Sequence, residues 1–155
     1  MGNATLANDL AGVITVITPL SAATLTNANL TGANLTGADL PFATLTNANL
    51  SGANLTNADL SGADLTSTDL SFATLTSTDM SFANLTGANL TNANLTSTDM
   101  SFANLTNANL TNANLTSTDL SFATGCSKVT PTGTLINPLV TPPTGTLING
   151  LGCTN

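Results

Sequence analysis

The chain has 155 residues, 41% of them hydrophobic, so it is long enough for one ordinary domain with a core. It contains no Glu, Gln, His, Arg, Trp or Tyr, and Lys128 is its one cation beside eight Asp residues, for a formal charge of −7. Because a nucleic-acid-binding surface needs clustered Lys or Arg to neutralise phosphates, this composition excludes one. Charged residues make up only 6% of the chain, so Asn, Thr and Ser must cover the surface.

Residues 1–22 are predicted to form a degenerate N-terminal capping coil. Leu10 and Leu20 keep the inward register of the repeats that follow, whereas Thr15 breaks it. The apolar stretch LAGVITVITPL is shorter than the roughly 18 to 20 residues that a membrane helix requires. Asp9 and the lack of a basic residue before this stretch argue against a signal peptide. We therefore expect no membrane insertion.

Residues 23–122 divide into twenty blocks of five without an insertion, beginning ATLTN, ANLTG, ANLTG, ADLPF. The first position of a block is Ala or Thr, the third is Leu or Met, and the fourth is Thr or Ser except at Pro41. A helix would scatter the Leu residues around its axis, because five residues turn it by about 500°. A continuous strand would send alternate Leu residues to opposite faces. The period therefore predicts a solenoid that bends after each short extended segment, with Leu and Ala inside.

A slower repeat sets the number of sides. Asp and Phe recur every twenty residues, which is four blocks, so we predict five complete four-sided coils. Met80 and Met100 replace inward Leu at similar volume. Thr78, Thr98 and Thr118 replace inward Ala, and we expect their hydroxyls to bond backbone carbonyls.

These blocks resemble pentapeptide repeats of the A(D/N)LxX type over about two thirds of the chain. The resemblance implies an all-β fold, the right-handed quadrilateral β-helix of that family, for residues 23–122. Residues 123–155 are predicted to be a Pro/Gly/Thr-rich extended tail with two twelve-residue units, PTGTLINPLVTP and PTGTLINGLGCT. A disulfide between Cys126 and Cys153 would close this tail into a loop in an oxidising compartment, and two unrelated thiols are the alternative.

No catalytic constellation can be assembled, because His and Glu are missing and no base stands ready for a Ser or Cys nucleophile. We expect no enzyme activity, no cofactor and no metal site. The acidic column nevertheless has two interpretations: local hydrogen bonds to turn amides, which we favour, or attraction of a hard cation such as Ca²⁺. Its members are Asp39, Asp59, Asp79, Asp99 and Asp119.

An interaction stripe is predicted at the fifth block position, which faces outward. Its members are Phe42, Phe82, Phe102 and Phe122, with Gly62 in the gap. Three explanations stay open for this apolar stripe: cover by the tail or a subunit, lateral contact with other molecules, and plain aromatic stacking. Ten outward Asn residues lie in Asn-Leu-Thr/Ser sequons, so glycans on outward Asn or Thr are possible, although the repeat consensus creates such sequons automatically.

The sequence favours a structural protein of the cell surface or extracellular space that stacks head to tail into a filament. A solenoid end is an unpaired strand edge, and a non-closing contact between unlike ends propagates. The partner would be a further copy of the chain, with no nucleic acid. The family resemblance implies an alternative, a DNA mimic that binds a type II topoisomerase through acidic faces. A third hypothesis is ice binding by outward Thr24, Thr26, Thr44 and Thr46, although Asn and Asp interrupt that wall.

Overall fold

The computed structural model describes residues 20–126, which form one four-sided solenoid of repeating blocks. Parallel β-bridges join each residue at the second block position to the residue twenty positions later, from Thr24↔Thr44 to Asn104↔Thr124. This spacing confirms four blocks per coil. Each contact is a single bridge, so residues 20–126 contain no strand of several residues and no helix. Only one residue in each block of five thus forms a β-bridge, so the walls contain less strand than the short extended segments predicted from the sequence.

Four walls follow from this spacing, and we number them by their first complete block. Wall 1 begins at Ala23, wall 2 at Ala28, wall 3 at Ala33 and wall 4 at Ala38, and each repeats every twenty residues. Walls 1 and 3 are opposite each other, as are walls 2 and 4. The number of five complete coils over residues 23–122 stays a prediction.

Three backbone hydrogen bonds per block hold neighbouring coils together. The Leu50 N–H donates to the Asp69 carbonyl (2.7 Å), and the Gly52 N–H donates to the Ser71 carbonyl (2.8 Å). In the opposite direction, the Asn49 N–H donates to the Ala28 carbonyl at 2.9 Å. The third and fifth positions therefore donate toward the next coil, and the second position donates toward the previous one. Interior coils satisfy these backbone groups fully, as buried amides require.

A turn at every fifth residue makes the corners. The Ala53 N–H donates to the Leu50 carbonyl at 3.0 Å, and the intervening Gly52 has a φ of 66°. A positive φ at the second central residue is the mark of a type II turn, which favours Gly or Asn. Every described fifth position has this conformation, whether it holds Gly, Asn, Ser or Phe. The five-residue period is therefore the period of the turn.

The core is a column of third-position side chains inside each wall, with small first-position residues between them. Leu50, Leu75, Met80 and Met100 have no exposed surface, and the Ala residues of the interior coils are equally buried. Thr78, Thr98 and Thr118 donate their hydroxyls to the carbonyls of Leu55, Leu75 and Leu95, which confirms the predicted partners. Thr68, which is on wall 2, likewise donates its hydroxyl to the Leu45 carbonyl. No buried side-chain polar atom in residues 20–126 lacks a hydrogen bond.

The two ends of the chain lie mostly outside the described residues. Of the predicted capping coil, only Leu20–Ala22 is described: the Leu20 N–H donates to the Asp39 carbonyl and the Ala22 N–H to the Pro41 carbonyl, both at 2.8 Å. The tail from residue 127 onward is not described. Cys126 is buried and is not a free thiol, while Cys153 lies outside the described range, so the pairing of the two stays a prediction. Within residues 20–126, no helix could span a membrane.

The Leu75 side chain tests the packing of the core. Replacing it with Ala removes a fully buried side chain, and we expect a loss of about 2–5 kcal/mol in the free energy of unfolding, measured by urea titration. Leu75→Met is the matched control, because Met80 and Met100 occupy equivalent positions on wall 4, and it should cost less than about 1.5 kcal/mol. Equal losses in the two variants would contradict a tightly packed core.

Candidate interaction surfaces

Wall 4 carries the predicted acidic column, and its carboxylates bond their own turns. The Oδ1 atoms of Asp59, Asp79, Asp99 and Asp119 each accept the N–H of the Ser two residues later, at 2.8–2.9 Å. Asp39 is followed by Pro41, which has no N–H to donate. The structure thus confirms the local hydrogen bonds that the sequence favoured. No group of three or more His, Cys, Asp or Glu among the described residues is arranged to hold a metal ion.

The interaction stripe lies on the same wall and forms an aromatic ladder. The rings of Phe82 and Phe102 stack with centroids 4.8 Å apart and planes 2° apart, and Phe102 and Phe122 stack at 4.9 Å and 13°. The middle ring is 48% exposed, and the outer two are 62–64% exposed. Stacking therefore covers only part of each ring, and the side of the ladder that points away from wall 4 is exposed to solvent.

Gly62 closes the gap between Phe42 and the stacked rings. A Cβ atom at Gly62 would lie 2.6 Å from two ring carbons of Phe42, so the ring covers this glycine in the next coil. The stacked part of the stripe therefore runs from Phe82 to Phe122, while Phe42 packs over Gly62.

All five phenylalanines of the chain occupy the left-handed conformation, with φ between 58° and 59°. This conformation is unfavourable for bulky residues, and Gly or Asn would adopt it at lower cost. The rings are also largely exposed, so burial does not offset the backbone strain. Phe72 stands alone on wall 2, opposite the ladder, with 65% exposure. Folding alone does not explain Phe at these turns.

The other three walls are covered by a network of amides and hydroxyls. A typical second-position Asn accepts the hydroxyl hydrogen of the Thr two residues later, as Asn84 does from Thr86 (2.6 Å). Some Asn residues also reach the coil below: the Asn84 Nδ2 donates to the Thr66 hydroxyl at 3.0 Å, and Asn104 does the same to Thr86. Sequon residues thus serve the fold itself. Glycans on outward Asn or Thr stay a prediction.

Asp64 lies at the second block position on wall 1, and the pKa of its carboxyl is lower than that of an ordinary aspartate. The hydroxyl hydrogen bond from Thr66 lowers the pKa of the Asp64 carboxyl, and partial burial opposes this; the Thr66 N–H and the Thr46 hydroxyl lower the pKa further. Four donors in all surround the carboxylate, because the Asn84 amide lies 3.4 Å away. Asp64 follows Thr24 and Thr44 in the same column and interrupts their row of hydroxyls, as the sequence predicts for the wall of the ice-binding hypothesis.

We call the side of the last described coil that faces the C-terminus the upper edge, and the opposite side of the first described coil the lower edge. Within residues 20–126, no residue bonds the upper-edge backbone groups that in interior coils bond the next coil. They are the N–H groups of Asn107, Leu110, Asn112, Leu115, Ser117, Leu120 and Phe122 and the carbonyls of Ala108, Ala113, Thr118 and Ala123. This edge therefore has an excess of donors.

The lower edge has the complementary excess. Its unpaired groups, again counted over the described part of the chain, would bond the previous coil in the interior. They are the carbonyls of Ser21, Thr24, Thr26, Asn29, Thr31, Asn34 and Thr36 and the N–H groups of Thr24, Asn29, Asn34 and Asp39. Within residues 20–126, seven donors and four acceptors above thus complement seven acceptors and four donors below. The sequence predicts open ends, and the structure adds that the two edges differ in kind.

Known proteins share the five-residue repeat. The family model described as pentapeptide repeats matches in eight copies, over residues 20–52, 43–81, 53–92 and 83–121. A pentapeptide repeat protein from the Arabidopsis thaliana thylakoid lumen is 32% identical; the match covers 68% of this chain and 63% of that one, with a TM-score of 0.39. HetL of the cyanobacterium Nostoc, involved in regulating heterocyst differentiation, is 31% identical over 66% of each chain, with a TM-score of 0.29.

A more distant match is QnrB1, a plasmid-mediated fluoroquinolone resistance protein. It is 20% identical, and the match covers 67% of this chain and 63% of that one, with a TM-score of 0.31. The chain therefore spans about two thirds or less of the length of these solved structures. No curated protein matches the chain significantly.

Replacing single phenylalanines separates stacking from backbone strain. Phe102→Asn relieves the left-handed strain but removes two stacked pairs, so we expect the free energy of unfolding to fall by about 1 kcal/mol. Phe72→Asn, the matched control, relieves the same strain at an unstacked ring and should leave stability equal or slightly higher. Thermal melting of both variants measures the difference. A Phe102→Asn protein that melts no lower than Phe72→Asn would show that the stacking contributes nothing.

The Asp64 carboxylate predicts a dependence of stability on pH. Because its pKa is lower in the folded chain than in the unfolded chain, it stabilises the fold above about pH 4 and loses that effect as the pH falls through the folded-state pKa. Asp64→Asn should therefore lose less stability than the parent between pH 6 and pH 2.5, measured by urea midpoints. Thr66→Val should also weaken this dependence, whereas Thr106→Val, which faces Asn104, should behave like the parent. An unchanged pH profile in Asp64→Asn would contradict the assignment.

Proposed function

This chain belongs to the pentapeptide-repeat family, and from that starting point we propose that it is a non-enzymatic structural subunit that stacks head to tail into a filament. Membership implies the right-handed quadrilateral β-helix. The observation that supports the proposal is the complementarity of the two edges: within residues 20–126, seven donors on one edge and seven acceptors on the other have no partner. A second copy of the chain is the partner whose groups repeat at the required spacing.

Pairing of unlike edges is favoured over pairing of like edges. Two upper edges would set donors mainly against donors, and an unpaired backbone group that becomes buried costs about 1–3 kcal/mol. Unlike edges have no such excess. A contact between unlike ends of one molecule leaves a free end of each kind, so it propagates as a fibre.

Three of the four walls carry few of the residues with which proteins usually prevent edge pairing. Natural edge strands are protected by charged residues, by Pro or by a covering helix. Along residues 108–117 and 24–36, the second, fourth and fifth block positions hold only Asn, Thr, Ser and Gly, whereas wall 4 has Asp39, Pro41 and Asp119. Charged residues are few in the whole chain, at 6%. Charge repulsion at these edges is therefore confined to wall 4.

An extracellular or cell-surface location fits a filament built from this composition, and it belongs to the same proposal. The surface depends on hydroxyls and amides for its hydration, and Cys126 is not a free thiol. Disulfides persist in oxidising compartments. The phenylalanine ladder would then run along the side of the fibre, where it is available for lateral contact.

A DNA-mimicking role has less support. Of the seven described Asp residues, five lie in one column on wall 4, and the remaining walls are neutral apart from Asp64 and Asp69. A duplex carries negative charge on all its sides. Supercoiling assays with a type II topoisomerase test this alternative, and inhibition by micromolar protein would favour it over the filament.

Electron microscopy of the purified full-length protein over a range of concentrations tests the filament directly. We expect unbranched fibres about as wide as one coil, with a length that increases with concentration. A discrete monomer or dimer at every concentration would overturn the proposal. Phe102→Ser with Phe122→Ser should leave single fibres intact and reduce their bundling, because the ladder faces sideways.

Charge placed on both edges provides a variant test. Lys in place of the outward residues at the fourth block position should prevent stacking, because like charges then meet across the junction. The substituted residues are Thr26, Thr31 and Thr36 below, with Thr111, Thr116 and Ser121 above. The matched control keeps Lys above and places Glu below, which should restore fibres. Fibres formed equally by both variants would show that these edges do not meet.

A further inference from the structure

We propose that the aromatic ladder of wall 4, which consists of Phe82, Phe102 and Phe122, binds an elongated, flat aromatic cation. The ligand would lie along the ladder with one face against the edges of the rings, and its positive charge would point toward the acidic column of the same wall. Both features are on the side of the solenoid and within residues 20–126. The site is therefore independent of the two edges and of the proposed filament.

Stacking leaves the edges of the rings, and not their faces, at the surface. Neighbouring rings are parallel to within 13°, with centroids 4.8 and 4.9 Å apart, so Phe102 has both faces covered. It is nevertheless 48% exposed, and the exposed part is mainly its edge. A ring edge carries the positive end of the aromatic quadrupole and prefers the negative face of another aromatic group. A flat aromatic ligand therefore matches a row of such edges.

The ladder is extended and fixed in place, which suits an elongated ligand. Its rings follow one another at the spacing of the coils, so their edges form a strip roughly 10 Å long at the usual strand spacing. Several linked or fused rings in a row cover such a strip, whereas a single ring does not. Because stacking already holds the side chains in one arrangement, a ligand that binds them immobilises few groups.

The acidic column supplies the charge of the site. Asp79, Asp99 and Asp119 each precede a ring of the ladder by three residues in the same block. The N–H of the intervening Ser holds Oδ1 of each carboxylate at 2.8–2.9 Å, and no residue within 20–126 donates to Oδ2. The same range contains seven Asp and no Lys or Arg, so it provides no ion-pair partner for the column. A cation bound along the ladder therefore meets a row of carboxylates.

Charge favours a cation over a second copy of the chain as the occupant. Two ladders in contact would bring two acidic columns close together, and their like charges would repel each other. A cationic ligand instead gains from the carboxylates that precede the rings. An uncharged ligand of the same shape would keep the contacts with the ring edges but lose this gain. Binding at wall 4 should therefore select for positive charge.

The chain contains its own control for this site on the opposite wall. Residues 68–72 on wall 2 have the sequence TDLSF, as do residues 118–122 on wall 4. Phe72 has no stacked neighbour among the described residues, and Gly52 and Asn92 stand twenty positions before and after it. The same block therefore belongs to a row of edges on wall 4 and carries an isolated ring on wall 2.

Thioflavin T, an elongated aromatic cation, is the probe, and equilibrium dialysis against the full-length protein measures its affinity. Phe102→Asn removes the middle ring edge and should weaken binding about tenfold. Phe72→Asn is the matched control on wall 2 and should bind the probe as the parent does. Asn suits both sites, because Asn92 has a left-handed φ of 59° at a fifth position. Thermal melting verifies that each variant is folded.

The contribution of charge is tested by Asp99→Asn, which keeps the turn, because Asn49 accepts the Ser51 N–H at 3.0 Å in an equivalent block. This variant should weaken thioflavin T binding about threefold at low ionic strength. Asp69→Asn on wall 2 makes the same change in net charge and should leave the affinity unchanged. The uncharged benzothiazole with the same ring skeleton should bind the parent and Asp99→Asn equally.

Unchanged binding of thioflavin T by Phe102→Asn, or no saturable binding by the parent, would overturn the proposal. Equal weakening by Phe72→Asn would place the dye elsewhere and would overturn it as well. If no dye binds and Phe102→Asn instead abolishes side-by-side association of the parent in sedimentation, the occupant of the ladder is a second copy and not a cation. Micrographs of the same samples test the filament separately, so the two proposals can fail independently.

Discussion

The left-handed turn at every fifth residue is the constraint on which the rest of the structure depends. Each turn ends one wall and begins the next, so four turns bring the chain back over itself after twenty residues. That return places the donors of the third and fifth positions beneath the acceptors of the next coil. It also brings Leu to the inside of every wall, where it has almost no exposed surface. A block of four or six residues would lose this alignment.

The same constraint explains the small alphabet of the chain. Inward positions admit Leu, Met, Ala and Thr, because only these volumes and hydrogen-bonding groups occupy the narrow interior. Second positions hold Asn, Asp or Thr, and many of the Asn and Asp side chains bond the backbone two residues later. Fifth positions favour Gly and Asn, which tolerate a positive φ. Five largely exposed phenylalanines occupy this position against these preferences, and four of them pack on a ring or a glycine of a neighbouring coil.

Solenoids bury their backbone groups between coils, so the outermost coils of residues 20–126 hold the groups that have no partner within that range. Most globular folds close on themselves and hide such edges. Here the donors left over on one edge match the acceptors left over on the other, since both derive from the same three bonds per block. The proposed stacking would use the same interaction that holds the fold together.

Much of the fold could be read from the residues by themselves. The five-residue period, the twenty-residue columns of Asp and Phe, and the Leu core all follow from counting, because each block has the same environment and must solve the same packing problem. The hydroxyl partners of Thr78, Thr98 and Thr118 were predictable as carbonyls, since a buried hydroxyl needs an acceptor. The sequence likewise determined that wall 4 holds both the acidic column and the interaction stripe.

Only the tertiary structure decided how these parts relate in space. The ring of Phe42 over Gly62 and the hydrogen bonds from Thr46 and Asn84 to Asp64 are contacts between coils, which depend on side-chain direction and not on spacing. The direction of each backbone donor also belongs to the tertiary structure, because the third and fifth positions donate toward the next coil and the second position toward the previous one. Period alone specifies the coil, whereas the directions of side chains and backbone groups, which depend on contacts between coils, specify what its surfaces present.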